Sequence, residues 1–176
     1  MDLDPVVALS DFIAELDALA AITDALAPLA IDAPDLAAEL ARLAARISPV
    51  TIDLCLAGIG ENGHLAFNVP PADFDTTAPY LVVALDDACR RQQLGEGWFA
   101  RLEDVPRQAV SMSIGEVLRA RRVIVTAPDL RKAAAVRSAV EGPVTNLCPA
   151  SALQSHPGCS LHLDQASASL LQGPAS

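Results

Sequence analysis

The stretch Thr51-Ile52-Asp53-Leu54-Cys55-Leu56-Ala57-Gly58-Ile59-Gly60-Glu61-Asn62-Gly63-His64 begins as an apolar run of strand length and passes directly into a loop with three glycines. A strand that empties into a glycine loop is the unit with which open α/β sheets build ligand crevices at the carboxyl ends of strands. The spacing Gly58-x-Gly60-x-x-Gly63 matches the dinucleotide-binding fingerprint, and Asp86 follows about 20 residues later at a strand end, as that fingerprint also asks. A dinucleotide fold, however, needs its third glycine in a helix packed on the sheet. His64-Leu65-Ala66-Phe67-Asn68-Val69-Pro70-Pro71 leaves room for a turn at most, because Pro70 ends a helix and disfavours helical geometry at Val69. No cofactor is therefore expected. The glycines instead let backbone amides approach a substrate closely, with His64 directed into the crevice. A histidine of near-neutral pKa can take a proton from one oxygen and deliver it to another, which is what opening a pyranose ring requires. On the residues alone, a loop histidine that merely caps backbone groups fits equally well.

Downstream of this loop, short apolar runs alternate with helical segments, the βαβ rhythm of a parallel sheet covered on both faces. Strands are expected over 51–57, 80–85, 109–114, 122–127 and 160–163, and helices over 87–93, 115–119, 129–141 and 165–171. Pro70-Pro71, Gly95-Glu96-Gly97 and Gly142-Pro143 mark loops. Upstream, residues from Pro5 to Ala27 and from Pro34 to Arg46 read as two Ala-rich helices, each with an aspartate placed to cap it and a proline at its start. The fold class is thus α/β, a parallel sheet with helices on both faces preceded by two Ala-rich helices. One domain is expected over 1–176, with a helical segment to residue 50, an α/β core over 51–171 and a tail over 172–176.

A hydrophobic fraction of 52% with only 3% aromatics over 176 residues calls for an aliphatic core. The formal net charge of -10 opposes a nucleic-acid partner, and the arginines are scattered. Much of that acidity sits in the first 50 residues, where nine acids face only Arg42 and Arg46. No apolar run approaches the roughly 20 residues that span a bilayer and no leader opens the chain, so no membrane association and a cytoplasmic location are expected. Cys55, Cys89, Cys148 and Cys159 lack CxxC spacing and read as reduced thiols. Cys148, His156, Cys159 and His162 could be strung together as metal ligands, but known zinc spacings differ, and His162 alternates with Leu161 and Leu163 as an outward strand residue does; no metal is expected.

The run from Asp53 to Pro70, containing Gly58-Ile59-Gly60-Glu61-Asn62-Gly63-His64-Leu65-Ala66-Phe67-Asn68-Val69, strongly resembles the signature of glucosamine-6-phosphate deaminases. The blocks Leu85 to Gln93, Val105 to Ile114 and Arg131 to Thr145 resemble that family's later segments in order, so the likeness covers about Ile52 to Leu171. The sister 6-phosphogluconolactonases share the Gly-x-Gly-x-(Asp/Asn)-Gly-His core but typically continue Thr-Ala-Ser, where this chain has Leu65-Ala66-Phe67. The resemblance implies a three-layer Rossmann-like fold and an aldose-ketose isomerisation with deamination, turning glucosamine 6-phosphate into fructose 6-phosphate and ammonia. A small-molecule sugar phosphate is the partner so implied, with a homo-oligomer as a further possibility.

Carried over residue by residue, the resemblance gives His64 the ring-opening role and Asn62 the position that supports it. Gly58, Gly60, Gly63 and Asn68 fall in the substrate loop, Lys132 takes the phosphate, and Arg90 stands where the family often has a phosphate-binding arginine. Lys132 is the only lysine in the chain and begins a helix, where free amides favour an anion. Two departures follow. Val69 replaces the acid that holds the family histidine, with Glu61 as the nearby alternative. The family's opening strand, its Gly/Ser/Thr-rich phosphate loop and its strand-ending Asp-Glu pair are not found before Thr51, so a chain truncated on its amino-terminal side is expected, with the non-catalytic phospho-sugar binder and the lactonase-type hydrolase as the other readings.

Overall fold

The computed structural model describes residues 36–172. The expected helix over Pro5 to Ala27 lies outside them. By its contacts the chain divides into two units, Met1–Ala38 and Glu39–Ser176, and the site lies wholly in the second.

Helix α1 (Leu36–Ile47) precedes strand β1 (Leu54–Gly58). There follow β2 (Tyr80–Ala84), α2 (Asp87–Gly95), β3 (Gln108–Met112), α3 (Ile114–Leu118), β4 (Arg122–Thr126), α4 (Ala133–Glu141) and β5 (Cys159–His162). The sheet that carries the site is parallel, in the order β1-β4-β5. β4 is its centre: Val123 and Val125 are fully buried between the two neighbours, as expected for a strand covered on both faces. Register aligns the carboxyl ends, Gly58 opposite Thr126 and Thr126 opposite His162, so three strands stop along one line. Around Val123 and Val125 pack Ile59, Leu65, Ile114, Val117, Val136, Ala139 and Ala150, an aliphatic core as the composition requires.

Four elements depart from the expected rhythm. β2 and β3 do not join the parallel sheet; they form a separate antiparallel pair, extended by Leu85 N–H to the Arg107 carbonyl and Ser113 N–H to the Pro79 carbonyl. Their short apolar runs imitate buried parallel strands, yet Val82 stays exposed, which an antiparallel pair tolerates on one face. The expected helix over 129–141 is broken at its start: Asp129 has φ of 86°, Leu130–Lys132 is a 3-10 turn, and regular helix begins at Ala133. The expected helix over 165–171 is a series of turns, because Asp164 and Ser167 bond each other's backbone N–H groups and compete with helical pairing. A 3-10 segment at Pro149–Ser155, invisible to periodicity, packs under the glycine loop.

Candidate active site

The loop after β1 is folded back on itself. Ile59 bridges Leu65 and Leu65 bridges Asn68, so the chain makes two tight reversals and no helix opens at Gly63. Glycine is required twice. A Cβ at Gly60 would run into the Cε1, Nδ1 and Nε2 atoms of His64, whose ring lies against the bare backbone. Gly63 has φ of 82°, and a Cβ there would stand 3.0 Å from the Cys148 Sγ. Ala66 holds φ of 52° without being glycine, a conformation that costs energy and that clusters at functional loops.

Asn68 fastens the second reversal. Its Nδ2 donates to the carbonyls of Leu65 (2.9 Å) and Met112 (2.8 Å) and lies 3.2 Å from the Ser111 hydroxyl, which ties the loop to β3. It is buried and does not line the cleft. Its role is to hold the backbone on which His64 sits.

A cleft of about 570 Å³ opens beyond the aligned strand ends. Gly58, Gly60, His64 and Ala66 form one wall, Gln92 and Glu96 of the α2 region another, and Thr126, Asp129, Arg131 and Lys132 a third. His64 is 6% exposed, and burial first, then the positive charge of Lys132, push its pKa down to about 4, against the upward pull of Asp86 and Glu96. The imidazole is therefore neutral at physiological pH. Its Nδ1 lies 2.7 Å from the Asn62 Oδ1, which also accepts the His64 backbone N–H at 3.2 Å. The Asn62 Nδ2 in turn donates to the Asp86 Oδ2 at 2.9 Å.

Lys132 is 9% exposed, and its Nζ stands 3.9 Å from the Glu96 carboxylate; burial holds its pKa below the usual lysine value. Beside it, Arg131 bonds Asp129 at 3.0 Å and reaches Glu61 at 3.4 Å. Glu61 thus faces Arg131, and its backbone N–H is taken by the Gln92 side chain at 2.8 Å, so it does not stand in for the acid that Val69 lacks. The carboxylate behind the histidine comes from Asp86, the residue that imitated the last element of the dinucleotide fingerprint. The sequence signal that could have found it is capping: Asp86 is the N-cap of α2, accepting the Cys89 N–H at 2.7 Å, and a helix start after β2 brings a carboxylate to the sheet end.

Arg90 is not at the cleft, contrary to the position the resemblance gives it. It is 6% exposed, with its guanidinium spent on the carbonyls of Leu102 (2.7 Å) and Val105 (3.2 Å) and on Asp87 (3.4 Å). α2 turns this side chain toward the 3-10 turn Leu102–Asp104, where it takes up the backbone carbonyls of Leu102 and Val105. Among the described residues no group of three or more His, Cys, Asp or Glu side chains could hold a metal ion. His156 is occupied by the Ala120 carbonyl (2.7 Å) and the Gly158 N–H (3.1 Å). No helix among the described residues is long and apolar enough to cross a membrane.

These features define an α/β protein whose ligand crevice lies at the carboxyl ends of a parallel sheet. The family model described as glucosamine-6-phosphate isomerases/6-phosphogluconolactonase matches residues 10–161, and the chain belongs to this family. The match begins upstream of Ile52, where the motifs alone place its start. The glucosamine-6-phosphate deaminase of Exiguobacterium sibiricum is 42% identical over 137 residues, 78% of this chain and 53% of that protein. That of Listeria innocua is 41% identical over 140 residues, 80% of this chain and 58% of the relative. Among solved structures, a monomeric glucosamine-6-phosphate deaminase superposes with a TM-score of 0.73 at 33% identity, over 80% of this chain and 57% of that one. A 6-phosphogluconolactonase from Trypanosoma brucei gives 0.60 at 19% identity, over 79% of this chain and 55% of its own, a likeness of fold alone. The chain spans between half and three-fifths of the length of the curated relatives it matches.

Proposed function

We propose that this chain acts on glucosamine 6-phosphate, binding the phosphate at Lys132 and opening the pyranose ring with His64, as the first stage of conversion to fructose 6-phosphate and ammonia. One observation carries the reading: a neutral histidine and the chain's only lysine, both about nine-tenths buried, line one cleft at the strand ends. A neutral imidazole begins as a base. It accepts the proton of the anomeric hydroxyl, and the resulting imidazolium returns that proton to the ring oxygen as the C1–O5 bond breaks. An anion on Lys132 offsets the positive charge that disfavours this imidazolium, so phosphate binding and proton transfer reinforce each other. Gln92 and Thr126 also line the cleft and offer polar groups to sugar hydroxyls.

The direct test is ammonia release from glucosamine 6-phosphate by the purified chain. Release is expected, and His64→Gln should lower it by about 10²- to 10⁴-fold, the usual worth of a positioned acid-base group. Turnover that survives His64→Gln would refute the mechanism. A second reading, a phospho-sugar binder without turnover, is favoured by the engagement of the two cleft carboxylates. Glu96 is held by Gln92 and Trp98, and Asp129 by Arg131, leaving neither free as the base that enolisation needs. Saturable binding with no ammonia would select it.

A further inference from the structure

We infer that Asp86 is a positioning residue which, acting through Asn62, fixes the tautomer of His64 so that Nδ1 carries the proton and Nε2 presents its lone pair to the cleft. The geometry leaves few choices. An ionised carboxylate only accepts hydrogen bonds, so the side of the Asn62 amide that faces Asp86 at 2.9 Å must be the NH₂ group. Its oxygen then necessarily faces His64, where it lies 2.7 Å from Nδ1. The backbone N–H of His64 donates to the same oxygen at 3.2 Å, an independent check on the amide's orientation, since an NH₂ group there would oppose that donor. An oxygen at hydrogen-bond distance from Nδ1 holds the proton on Nδ1. No protein group bonds Nε2 among the described residues, and Gly60, lacking a Cβ, lets the ring lie where it does.

Asp86 is itself fixed. Its other oxygen caps α2 through the Cys89 N–H at 2.7 Å, so the carboxylate is held to the helix start and its second oxygen to the amide. An amide in the supporting position cannot take a proton from histidine as an aspartate could, but anchored by Asp86 it can dictate which nitrogen works. For catalysis the inference rests on the reading above, because a lone pair on Nε2 is what a ring-opening base needs. The tautomer itself is independent of any substrate.

The experiment is nitrogen-15 correlation spectroscopy of the three imidazoles in the ligand-free chain at pH 7. His64 is assigned by the loss of its signals in His64→Gln. His156 serves as an internal reference for the opposite tautomer, since its Nδ1 accepts from the Gly158 N–H and its Nε2 must donate to the Ala120 carbonyl. In the wild type, His64 is expected as the Nδ1–H form in at least about tenfold excess, the scale of one charge-assisted hydrogen bond. Asp86→Asn keeps a capping oxygen for Cys89 but offers NH₂ to Asn62. The Asn62 amide then turns over, and His64 should shift toward Nε2–H by about tenfold or more. Asp86→Ser, which caps α2 and is too short to reach Asn62, should lose the preference in the same direction and covers the case of a misfolded Asp86→Asn. A wild-type His64 in the Nε2–H form, or one whose tautomer ignores folded Asp86 variants, would overturn the inference. Ammonia assays on the same variants separate the questions: a wild-type Nδ1–H tautomer without turnover leaves the positioning intact and refutes only the enzymatic reading.

Discussion

At His64, burial decides the chemistry. A free histidine titrates at 6.5, and here the value falls to about 4 because the ring is removed from water with Lys132 nearby, while Asp86 and Glu96 offset only part of that. The sign for stability follows. Between these two values the unfolded chain binds the proton and the folded chain does not, so stability rises with pH across the window. The contribution is fully present above 6.5 and is lost as pH falls through about 4, an order of 3 kcal/mol in total. Urea midpoints at pH 7 and pH 4.5 should therefore diverge more for the wild type than for His64→Gln, which has nothing to titrate. Equal losses in both would show that His64 is solvated. The sequence exposed this histidine through its glycine neighbours, and named Asn62 as its support. Capping could place Asp86 at the start of α2, but not its bond to Asn62, which joins residues 24 positions apart.

The glycine loop shows what an element's sequence can and cannot carry. Pro70 and Pro71 correctly argued that no dinucleotide helix opens after Gly63, since their chemistry is local. The parallel sheet of β1, β4 and β5 was legible in the alternation of apolar runs with helical segments, which a parallel crossover requires. The pairing of β2 with β3 was not, because an apolar run does not state its partner or direction. Arg90 shows the same gap at side-chain level. Its place on α2 was readable, but the face it turns to the loop carbonyls was set by packing of Leu102–Asp104. Within this loop Gly60 makes the sharpest prediction. Gly60→Ala puts a methyl group where the His64 ring lies, which should cost about 1–3 kcal/mol and push the ring toward solvent. An NMR titration of the variant should find the His64 pKa raised from about 4 toward 6.5. A pKa that stays near 4 would mean that the backbone yields and the ring does not.

Over the whole molecule, the strand-end cleft lies in a family core whose match spans little more than half the length of its curated relatives. Lys132 stands buried beside Glu96 in that cleft, and on the proposed function an arriving phosphate takes the place of that carboxylate as its partner. This is the central claim, and thermal unfolding of the full chain tests it most directly. Glucosamine 6-phosphate at about 100 times its dissociation constant should stabilise the wild type by about 2.7 kcal/mol. Unphosphorylated glucosamine should give no such rise, and Lys132→Met, which keeps the aliphatic stem, should abolish the effect. A rise of equal size with the unphosphorylated sugar, or one undiminished in Lys132→Met, would contradict the account.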